Sequence, residues 1–433
     1  MLGGSILTTF LSEDDVEEIG LDVLTELGYD CLFGPEIGPE SLTVERESYQ
    51  VVLLKKWLHR ALIDLNNVPT STVDEAIREL ERVPSQNLIE NNREFHEKIL
   101  KGIPVQVKNE RDEYEYKNLK VIDFDEPLNN SFHAVNQYTV IEGNINKRPD
   151  TVLFVNGIPL VVIEYKKPSK EMQEGSTIDV AINQLDTYKS TIPSLFNYNA
   201  FVVACDGLQA RAGTLSSGRE WFLQWKTIDG ETLASSSTPE IEVLLQGMCN
   251  KHTLLDLIKH FIVFEDDGGK ITKKLAAYHQ YYAVKNAVKK TIQAASPDGD
   301  KKVGVIWHTQ GSGKSLSMLF YTGKLVIEPD LANPTIVVLT DRNELDDQLF
   351  NTFTRGNHLI RQSPVQAESK EHLKQLLSSS ASGGIYFTTV QKFLPDKDQI
   401  KYPVLSERKN IIFIADEAHR SHYGFAGGYA QYL

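Results

Sequence analysis

The most constraining feature of this sequence is a pair of apolar segments on either side of Asn156-Gly157, within residues 148–168 (RPDTVLFVNGIPLVVIEYKKP). An Asn-Gly pair between two apolar segments favours a β-hairpin with a two-residue turn. Successive strand side chains point to opposite faces, so Glu164 and Lys166 should project from the same side. Pairing about the turn also brings Asp150 to the same end. The sequence therefore predicts two carboxylates and a lysine at the mouth of an apolar hairpin.

These three residue types suit phosphodiester hydrolysis. Mg²⁺ keeps several waters and takes only one or two protein carboxylates, and a bound divalent ion lowers the pKa of a water. A neighbouring lysine can orient or deprotonate that water and offset developing charge. The alternative is a surface ion pair at a strand end, which Pro149-Asp150 on the partner strand makes less favourable. We predict a metal site at Asp150 and Glu164, with Lys166 as the third catalytic residue.

Pro149-Asp150 with Glu164-Tyr165-Lys166 resembles the signature of the PD-(D/E)xK nucleases. The wider segment resembles the nuclease domain of the motor and endonuclease (R) subunit of type I restriction enzymes. That resemblance implies a mixed sheet flanked by helices. Gln184 and Tyr188 are similar to the Q-x-x-x-Y helix of RecB-like nucleases, which implies a catalytic role for both. Their spacing of four also fits an ordinary amphipathic helix, and both interpretations stay open.

A helix is predicted to begin after Ser12 and to end at Gly28, because Ser12 is a good N-cap and glycine a good C-cap. In nucleases of the resembled family, a helix before the sheet often offers an acidic side chain to the metal. Glu17 is the best match for that role. The alternative is that Glu17 only complements the helix dipole.

The rest of the first domain reads as helices followed by strands. Residues 48–101 are predicted to form a helical insertion that packs on the sheet. Residues 119–125, 132–140, 200–207 and 208–215 are predicted to be strand-like and to complete the mixed sheet. The predicted domains are a nuclease domain at 1–250, a linker at 251–275 and a second domain at 276–433.

The second domain contains a glycine-rich loop in VGVIWHTQGSGKSLSMLF (303–320). An apolar strand at 303–307 is predicted to lead into the loop, and a helix to start near Lys314. Glycines let the backbone wrap phosphates, the lysine reaches the β- and γ-phosphates, and the following serine binds Mg²⁺. His308 replaces the first glycine of the strict motif. The residues predicted to bind the nucleotide are Gly311, Ser312, Gly313, Lys314 and Ser315.

A second nucleotide motif lies in IIFIADEAHRSH (411–422). A continuously apolar segment predicts a buried parallel strand, and ligands bind at the carboxyl ends of such strands. Asp416 is predicted to bind Mg²⁺, and Glu417 to polarise the water that attacks the γ-phosphate.

Together the two motifs resemble the first RecA-like domain of superfamily 2 DEAH-box translocases, a parallel-sheet P-loop NTPase. The resemblance implies an adenine contact by Gln280. It also implies contacts with a nucleic-acid backbone near the ends of two strands, although threonines at strand ends are usually caps. These contacts would come from Thr340, Arg342, Thr388, Thr389 and Gln391. The family's second RecA-like domain is not found among the 433 residues, so we expect an incomplete motor and ATP site.

Length and composition set further limits. A chain of 433 residues is long enough for two to three domains. Its net charge of −14 is unusual for a protein that binds DNA tightly by itself. Another subunit is therefore expected to supply much of the DNA affinity and all of the sequence recognition. Without an apolar run long enough to span a bilayer, or a signal peptide, we expect a cytoplasmic protein. Cys31, Cys205 and Cys249 form no C-x-x-C pair, which argues against a zinc site or disulfides.

The function predicted from these residues and resemblances is that of an ATP-dependent restriction endonuclease subunit. It would translocate double-stranded DNA and cleave it at a magnesium-dependent nuclease site, with ATP and Mg²⁺ as cofactors. The resemblance implies methylation and specificity subunits as partners. One alternative is a nuclease–helicase fusion from DNA repair or another phage-defence system. Another is a DNA-tethering module with a decayed nuclease site, which the intact set of Asp150, Glu164 and Lys166 argues against.

Overall fold

The protein is described here by a computed structural model that covers residues 12–108, 113–168, 177–340, 343–393 and 404–416. The chain divides into two compact units. The first comprises Met1–Ile262 and Ile271–Tyr278, and the second comprises Val263–Lys270 and His279–Leu433. The fold class is α/β, with a mixed sheet in the first unit and a parallel sheet in the second, as predicted.

In the first unit, helices come before, between and after the strands along the chain. Its helices are α1 (Glu13–Glu26), α2 (Gly34–Ile37), α3 (Lys55–Asn66), α4 (Thr70–Glu81), α5 (Leu88–Lys101), α6 (Thr177–Thr191), α7 (Pro193–Phe196), α8 (Glu240–Met248) and α9 (Lys251–His260). Its strands are β1 (Asp30–Phe33), β2 (Ile103–Lys108), β3 (Tyr114–Leu119), β4 (Phe132–Asn136), β5 (Val140–Glu142), β6 (Ile145–Lys147), β7 (Thr151–Val155), β8 (Ile158–Tyr165), β9 (Phe201–Cys205) and β10 (Ala210–Gly213).

Strands β11 (Ile262–Asp267) and β12 (Lys270–Leu275) follow, where the chain passes between the units. The range 251–275, interpreted from the sequence as a linker, therefore contains helix α9 and two strands. The second unit then contains helices α10 (Tyr278–Ala295), α11 (Lys314–Leu325), α12 (Asn343–Arg355), α13 (Asn357–Ile360) and α14 (Lys370–Ser379). Its strands are β13 (Thr335–Thr340), β14 (Val365–Gln366), β15 (Ile385–Thr389) and β16 (Ile411–Ala415).

The core of the first unit is a six-stranded sheet in the order β1-β4-β7-β8-β9-β10. Strands β8 and β9 are parallel, whereas β7 pairs antiparallel with both β4 and β8. Every residue of β7, β8 and β9 is buried, which explains why these strands read as continuous apolar runs. A register shift between Leu153 and Phe154 places Pro159, which lacks an N–H donor, at an irregular position of the ladder.

The hairpin turn forms where the sequence predicts it. Asn156 and Gly157 both have positive φ, at 51° and 79°, as the favoured two-residue hairpin turn requires. A Cβ on Gly157 would lie 2.5 Å from the carbonyl oxygen of Leu54 and 2.9 Å from the backbone nitrogen of Leu58. Glycine at 157 therefore serves both the turn and the close packing of α3 against it.

Helix α1 also begins as predicted. The Ser12 hydroxyl accepts from the backbone N–H of Asp15, and the Asp15 carboxylate accepts from the backbone N–H of Ser12, which makes a capping box. The predicted helical stretch at 48–101 contains α3, α4 and α5.

Three strand predictions are wrong, two of them in part and one entirely. The segment 119–125 turns after Leu119, because the Asp123 carboxylate captures the backbone N–H groups of Asp125 and Glu126, each at 3.1 Å. The predicted strand 132–140 is interrupted after Asn136, because Gln137 has a φ of 55°. Both interruptions come from local polar geometry that apolar periodicity does not report.

The third correction concerns the segment 303–307 before the glycine-rich loop, which forms no strand. Val305 and Trp307 are 83% and 87% exposed. The second unit's sheet has the order β14-β15-β13-β16 with all pairs parallel, and β16 is its last strand in the described part of the chain. An apolar composition favours a β-strand, but a strand forms only where its backbone also hydrogen-bonds to a neighbouring strand.

We expect Gly157→Ala to lower the free energy of unfolding by about 2–4 kcal/mol, because the new methyl group meets backbone atoms that cannot move independently. Gly143→Ala is the matched control: Gly143 also has a positive φ, of 59°, but a Cβ there meets nothing within 4 Å. The control should lose only about 1 kcal/mol from the backbone conformation. Urea denaturation of both variants measures the difference, and equal losses would show that the contact with α3 is unimportant.

Candidate functional site

The predicted convergence at the open end of the hairpin is present. The register pairs Thr151 with Ile163, so Asp150 and Glu164 follow at the same end of the ladder. Asp150 Oδ2 accepts a hydrogen bond from the backbone N–H of Tyr165 at 2.8 Å. Lys166 Nζ lies 2.8 Å from Glu164 Oε1. The structure thus brings together Asp150, Glu164 and Lys166.

The ammonium group of Lys166 has three oxygen partners. These are Glu164 Oε1 at 2.8 Å, Glu13 Oε1 at 2.8 Å and the carbonyl oxygen of Tyr165 at 2.7 Å. An ammonium group has three N–H donors, so this set satisfies it completely. Glu13 is the residue that sequence reasoning missed. It lies 153 positions away in the first turn of α1, and its only signal was an acidic first turn that the helix dipole already explains.

This buried site contains more carboxyl groups than positively charged groups. Glu164 is 1% exposed, and burial together with the neighbouring Asp150 raises its pKa to about 8, with Lys166 opposing the shift. Burial likewise raises the pKa of Asp150, against the opposing effects of the Tyr165 N–H and Lys166. Burial disfavours the charged form of Lys166, yet Glu164, Glu13 and Asp150 outweigh it and raise the lysine pKa.

Glu17 lies beside this cluster but has partners of its own. Asn136 donates to Glu17 Oε1 at 3.0 Å, and Gln137 donates to Glu17 Oε2 at 2.9 Å. Burial raises the pKa of Glu17, and Asp150 contributes to the same rise. The interruption of the predicted strand at Gln137 is therefore what supplies one of the amides that hold Glu17. A role for Glu17 in metal binding stays a prediction.

Helix α6 brings its predicted residues to the same place. Tyr188 is buried, and burial and the Glu164 carboxylate both raise the pKa of its hydroxyl, while Gln184 opposes them. The Tyr188 hydroxyl also lies 3.4 Å from the carbonyl oxygen of Arg148, next to Pro149. Tyr188 thus lies beside Glu164, and Gln184 lies beside Tyr188, while a catalytic role for either residue stays a prediction.

The donor set fits a hard divalent cation. Glu164 Oε2 is buried and has no hydrogen-bond partner within the described residues. Leaving a buried carboxylate oxygen unpartnered is costly, and a cation at that oxygen would remove the cost. No group of three or more His, Cys, Asp or Glu side chains in the described ranges is arranged to hold a metal. Mg²⁺ needs only one or two carboxylates because it retains water, so Asp150 and Glu164 suffice.

In the second unit the glycine-rich loop leads into α11, which begins at Lys314 as predicted. Gly311 and Gly313 have φ values of 78° and 82°. The Gln280 side chain donates to the carbonyl oxygen of Gly313 at 3.0 Å, and a Cβ on Gly313 would lie 2.5 Å from the same amide nitrogen. Gln280 therefore contacts the predicted phosphate loop itself.

The two nucleotide motifs meet at the end of β16. Lys314 Nζ lies 2.6 Å from Asp416 Oδ1, and Asp416 directly follows the strand. Within the loop, His308 Nδ1 lies 3.0 Å from the Ser312 hydroxyl, which donates to the carbonyl oxygen of Thr309 at 2.7 Å. Burial lowers the pKa of His308, and His279 and Lys314 lower it further, so a neutral imidazole supports the loop. Ser315 is half-buried in the first turn of α11.

The residues predicted to contact a nucleic-acid backbone differ in exposure. Thr340, Thr388 and Thr389 are buried at the ends of strands β13 and β15. Their contact with nucleic acid stays a prediction. Gln391 is exposed. Glu417 and Arg342 lie outside the described residues.

None of the described helices combines the length and the apolar character that a membrane span needs. The three cysteines are free thiols. Burial raises the pKa of Cys205 and Cys249 to about 12, which makes them inert at neutral pH.

Two family models match the chain, one in each unit. The model described as "Type I restriction enzyme R protein N terminus" matches residues 10–221. The model described as "SWI2/SNF2 ATPase" matches residues 279–433. The first match contains the hairpin site, and the second contains both nucleotide motifs.

Curated relatives agree with both matches. The type I restriction enzyme HindI endonuclease subunit of Haemophilus influenzae is 42% identical over 98% of this chain and 41% of its own length. The putative type I restriction enzyme MjaIXP endonuclease subunit of Methanocaldococcus jannaschii is 34% identical over 96% of this chain and 40% of its own length. An endonuclease subunit of Staphylococcus aureus is 24% identical over 96% of this chain and 40% of its own length. The chain thus spans about two fifths of the length of the curated relatives it matches.

The raised pKa of Glu164 makes stability depend on pH. The folded protein keeps this proton up to about pH 8, whereas the unfolded chain releases it near pH 4.5, so the free energy of unfolding falls as the pH rises between these values. We expect Glu164→Gln to remove this decline and to be more stable than the parent protein at pH 8 by about 1–3 kcal/mol in the absence of divalent ions. Urea denaturation from pH 5 to 8 measures this difference, with Glu18→Gln, an exposed carboxylate on α1, as the control. A stability difference that is the same at every pH would show that Glu164 titrates normally.

Proposed function

We infer that the chain belongs to the type I restriction enzyme R family, and we propose that it combines a Mg²⁺-dependent endonuclease site with the first half of an ATP-driven translocase of double-stranded DNA. The observation that carries the nuclease half is the buried Glu164 Oε2, which lies near Asp150 and Lys166 and has no hydrogen-bond partner among the described residues. The ion pair between Lys314 and Asp416 supports the motor half, because it joins the lysine and the aspartate of the two nucleotide motifs. We place this activity in the cytoplasm.

In the nuclease site, the carboxyl groups that would bind the metal have fixed positions. A divalent ion bound by Asp150 and Glu164 would neutralise the scissile phosphate and lower the pKa of the attacking water. The Tyr165 N–H fixes the Asp150 carboxylate, so little reorganisation is needed when charge develops. Lys166 orients the water and stabilises negative charge on the phosphate. Tyr188, which Gln184 contacts, lies beside Glu164 and helps to hold it in place.

In the motor site the loop at 311–315 would hold the phosphates of ATP, with backbone N–H groups at the start of α11 as donors. Lys314 would pair with the β- and γ-phosphates, Ser315 and Asp416 would hold the accompanying Mg²⁺, and Glu417 would polarise the water. Gln280 would contact the adenine, and its bond to Gly313 connects it to the phosphate loop.

The partners that we propose are double-stranded DNA and the methylation and specificity subunits of a type I restriction–modification complex. With 45 Lys and Arg against 59 Asp and Glu, the chain is poorly suited to hold DNA tightly by itself. A motor must also step over every sequence it meets, and strong base contacts would stall it. Sequence recognition is therefore assigned to the separate subunit.

Asp150→Ala and Lys166→Ala are each expected to reduce DNA cleavage at least about a hundredfold, because one removes a metal ligand and the other the residue that orients the water. The assay uses the complete subunit assembled with its methylation and specificity partners, and it measures cleavage and ATP hydrolysis in parallel. ATP hydrolysis should be unchanged in both variants, and Glu18→Gln should retain both activities. Full cleavage by either variant would contradict the assignment of the nuclease site.

Lys314→Ala in the same assembly should remove ATP hydrolysis, and cleavage that requires translocation should disappear with it. Lys289→Ala, which removes an exposed lysine from α10, is the matched control and should retain both activities. ATP hydrolysis that persists in Lys314→Ala would contradict the assignment of the nucleotide site.

A further inference from the structure

A carboxylate that the sequence did not single out shares the nuclease lysine. Glu13 Oε1 and Glu164 Oε1 each lie 2.8 Å from Lys166 Nζ. The two carboxylates differ in setting: the Glu13 side chain is 41% exposed, whereas that of Glu164 is 2% exposed. Lys166 therefore bridges a surface carboxylate on α1 and a buried carboxylate on β8.

We propose that Glu13 is a positioning residue that receives the Lys166 ammonium when a divalent cation binds Glu164. This inference rests on the proposed nuclease function and adds a step that the function does not contain. Lys166 contacts only Oε1 of Glu164, and Glu164 Oε2 has no hydrogen-bond partner among the described residues. Glu13 is then a second acceptor, so Lys166 can break its contact with Glu164 and still stay in the site.

Charge balance favours this transfer. A divalent cation on Glu164 and Asp150 repels an ammonium group that shares the same carboxylate, more strongly because the site is buried. Two of the three ammonium partners, Glu13 and the Tyr165 carbonyl oxygen, are independent of Glu164 and remain after that contact breaks. Lys166 can thus stay next to the reacting phosphate instead of moving into solvent.

Helix α1 gives Glu13 a fixed position. Ser12 and Asp15 form the capping box that starts the helix, so the first turn is held at both sides of Glu13. Glu17, one turn later, is held by Asn136 and Gln137 and is not bonded to Lys166. Glu13 and Glu17 therefore have different partners although they lie on the same side of the helix.

The test measures binding of Mn²⁺ alone to the nucleotide-free 433-residue chain by isothermal titration calorimetry. Glu13→Gln is expected to weaken Mn²⁺ binding about fivefold, the size expected for loss of a half-exposed ion pair. Glu13→Asp keeps the charge but shortens the side chain, and it should weaken binding almost as much. Glu18→Gln removes the same charge from an exposed position of α1 and should change the affinity less than about twofold.

A double-mutant cycle identifies the route of the effect. In a Lys166→Met background, Glu13→Gln should change Mn²⁺ affinity less than about twofold, because the residue through which Glu13 acts is gone. An equal loss in both backgrounds would make Glu13 a direct metal ligand and would overturn the proposal, as would no loss in either. If Lys166→Met does not fold, as judged by thermal unfolding, the comparison of Glu13→Gln with Glu13→Asp decides: full affinity in Glu13→Asp would mean long-range charge alone.

The same titration separates this inference from the proposed function. Failure of the parent protein to bind Mn²⁺, or binding that is unchanged in Asp150→Ala, would reject the metal-dependent nuclease site itself. Binding by the parent protein that is lost in Asp150→Ala but unaffected by Glu13→Gln would leave the nuclease site in place and reject only the role of Glu13.

Discussion

Burial of the antiparallel ladder between β7 and β8 is the constraint on which the nuclease unit depends. The ladder is buried on both faces, so its register is fixed by packing as well as by the turn at Asn156-Gly157. A slip of one residue would exchange the faces of every side chain in β8 and remove Glu164 from Asp150. The close approach of α3 to Gly157 holds the closed end of the hairpin, and this leaves the carboxylates at the open end.

That burial also sets the electrostatics of the open end. Carboxylates that would ionise freely in water are held where the charged form is disfavoured, and Lys166 is the nearest compensation. The protein tolerates this cost because the ladder and the flanking helices α1 and α6 hold the groups in place. A site that already favours an extra cation is prepared for one before any substrate arrives.

The sequence was sufficient for the parts of the site that depend on local geometry. Asp150, Glu164 and Lys166 could be placed together because one hairpin relates them, and Lys314 could be placed at a helix start because the glycine-rich loop precedes it. Glu13 could not be found in this way, since its contact with Lys166 depends on how α1 packs against the sheet. The failed strands at 119–125 and 303–307 have a similar cause. Asp123 captures backbone donors in one, and in the other no strand edge is engaged, and neither fact is encoded in apolar periodicity.

The ion pair between Lys314 and Asp416 joins a positive and a negative group at the proposed nucleotide site. A ligand that carries both a phosphate and a divalent cation would replace both halves of this pair, whereas either ion alone would replace only one. The proposed site would therefore favour the metal–nucleotide complex over the separate ions. In the other unit, Lys166 pairs in the same way with Glu164, the carboxylate proposed to bind the metal.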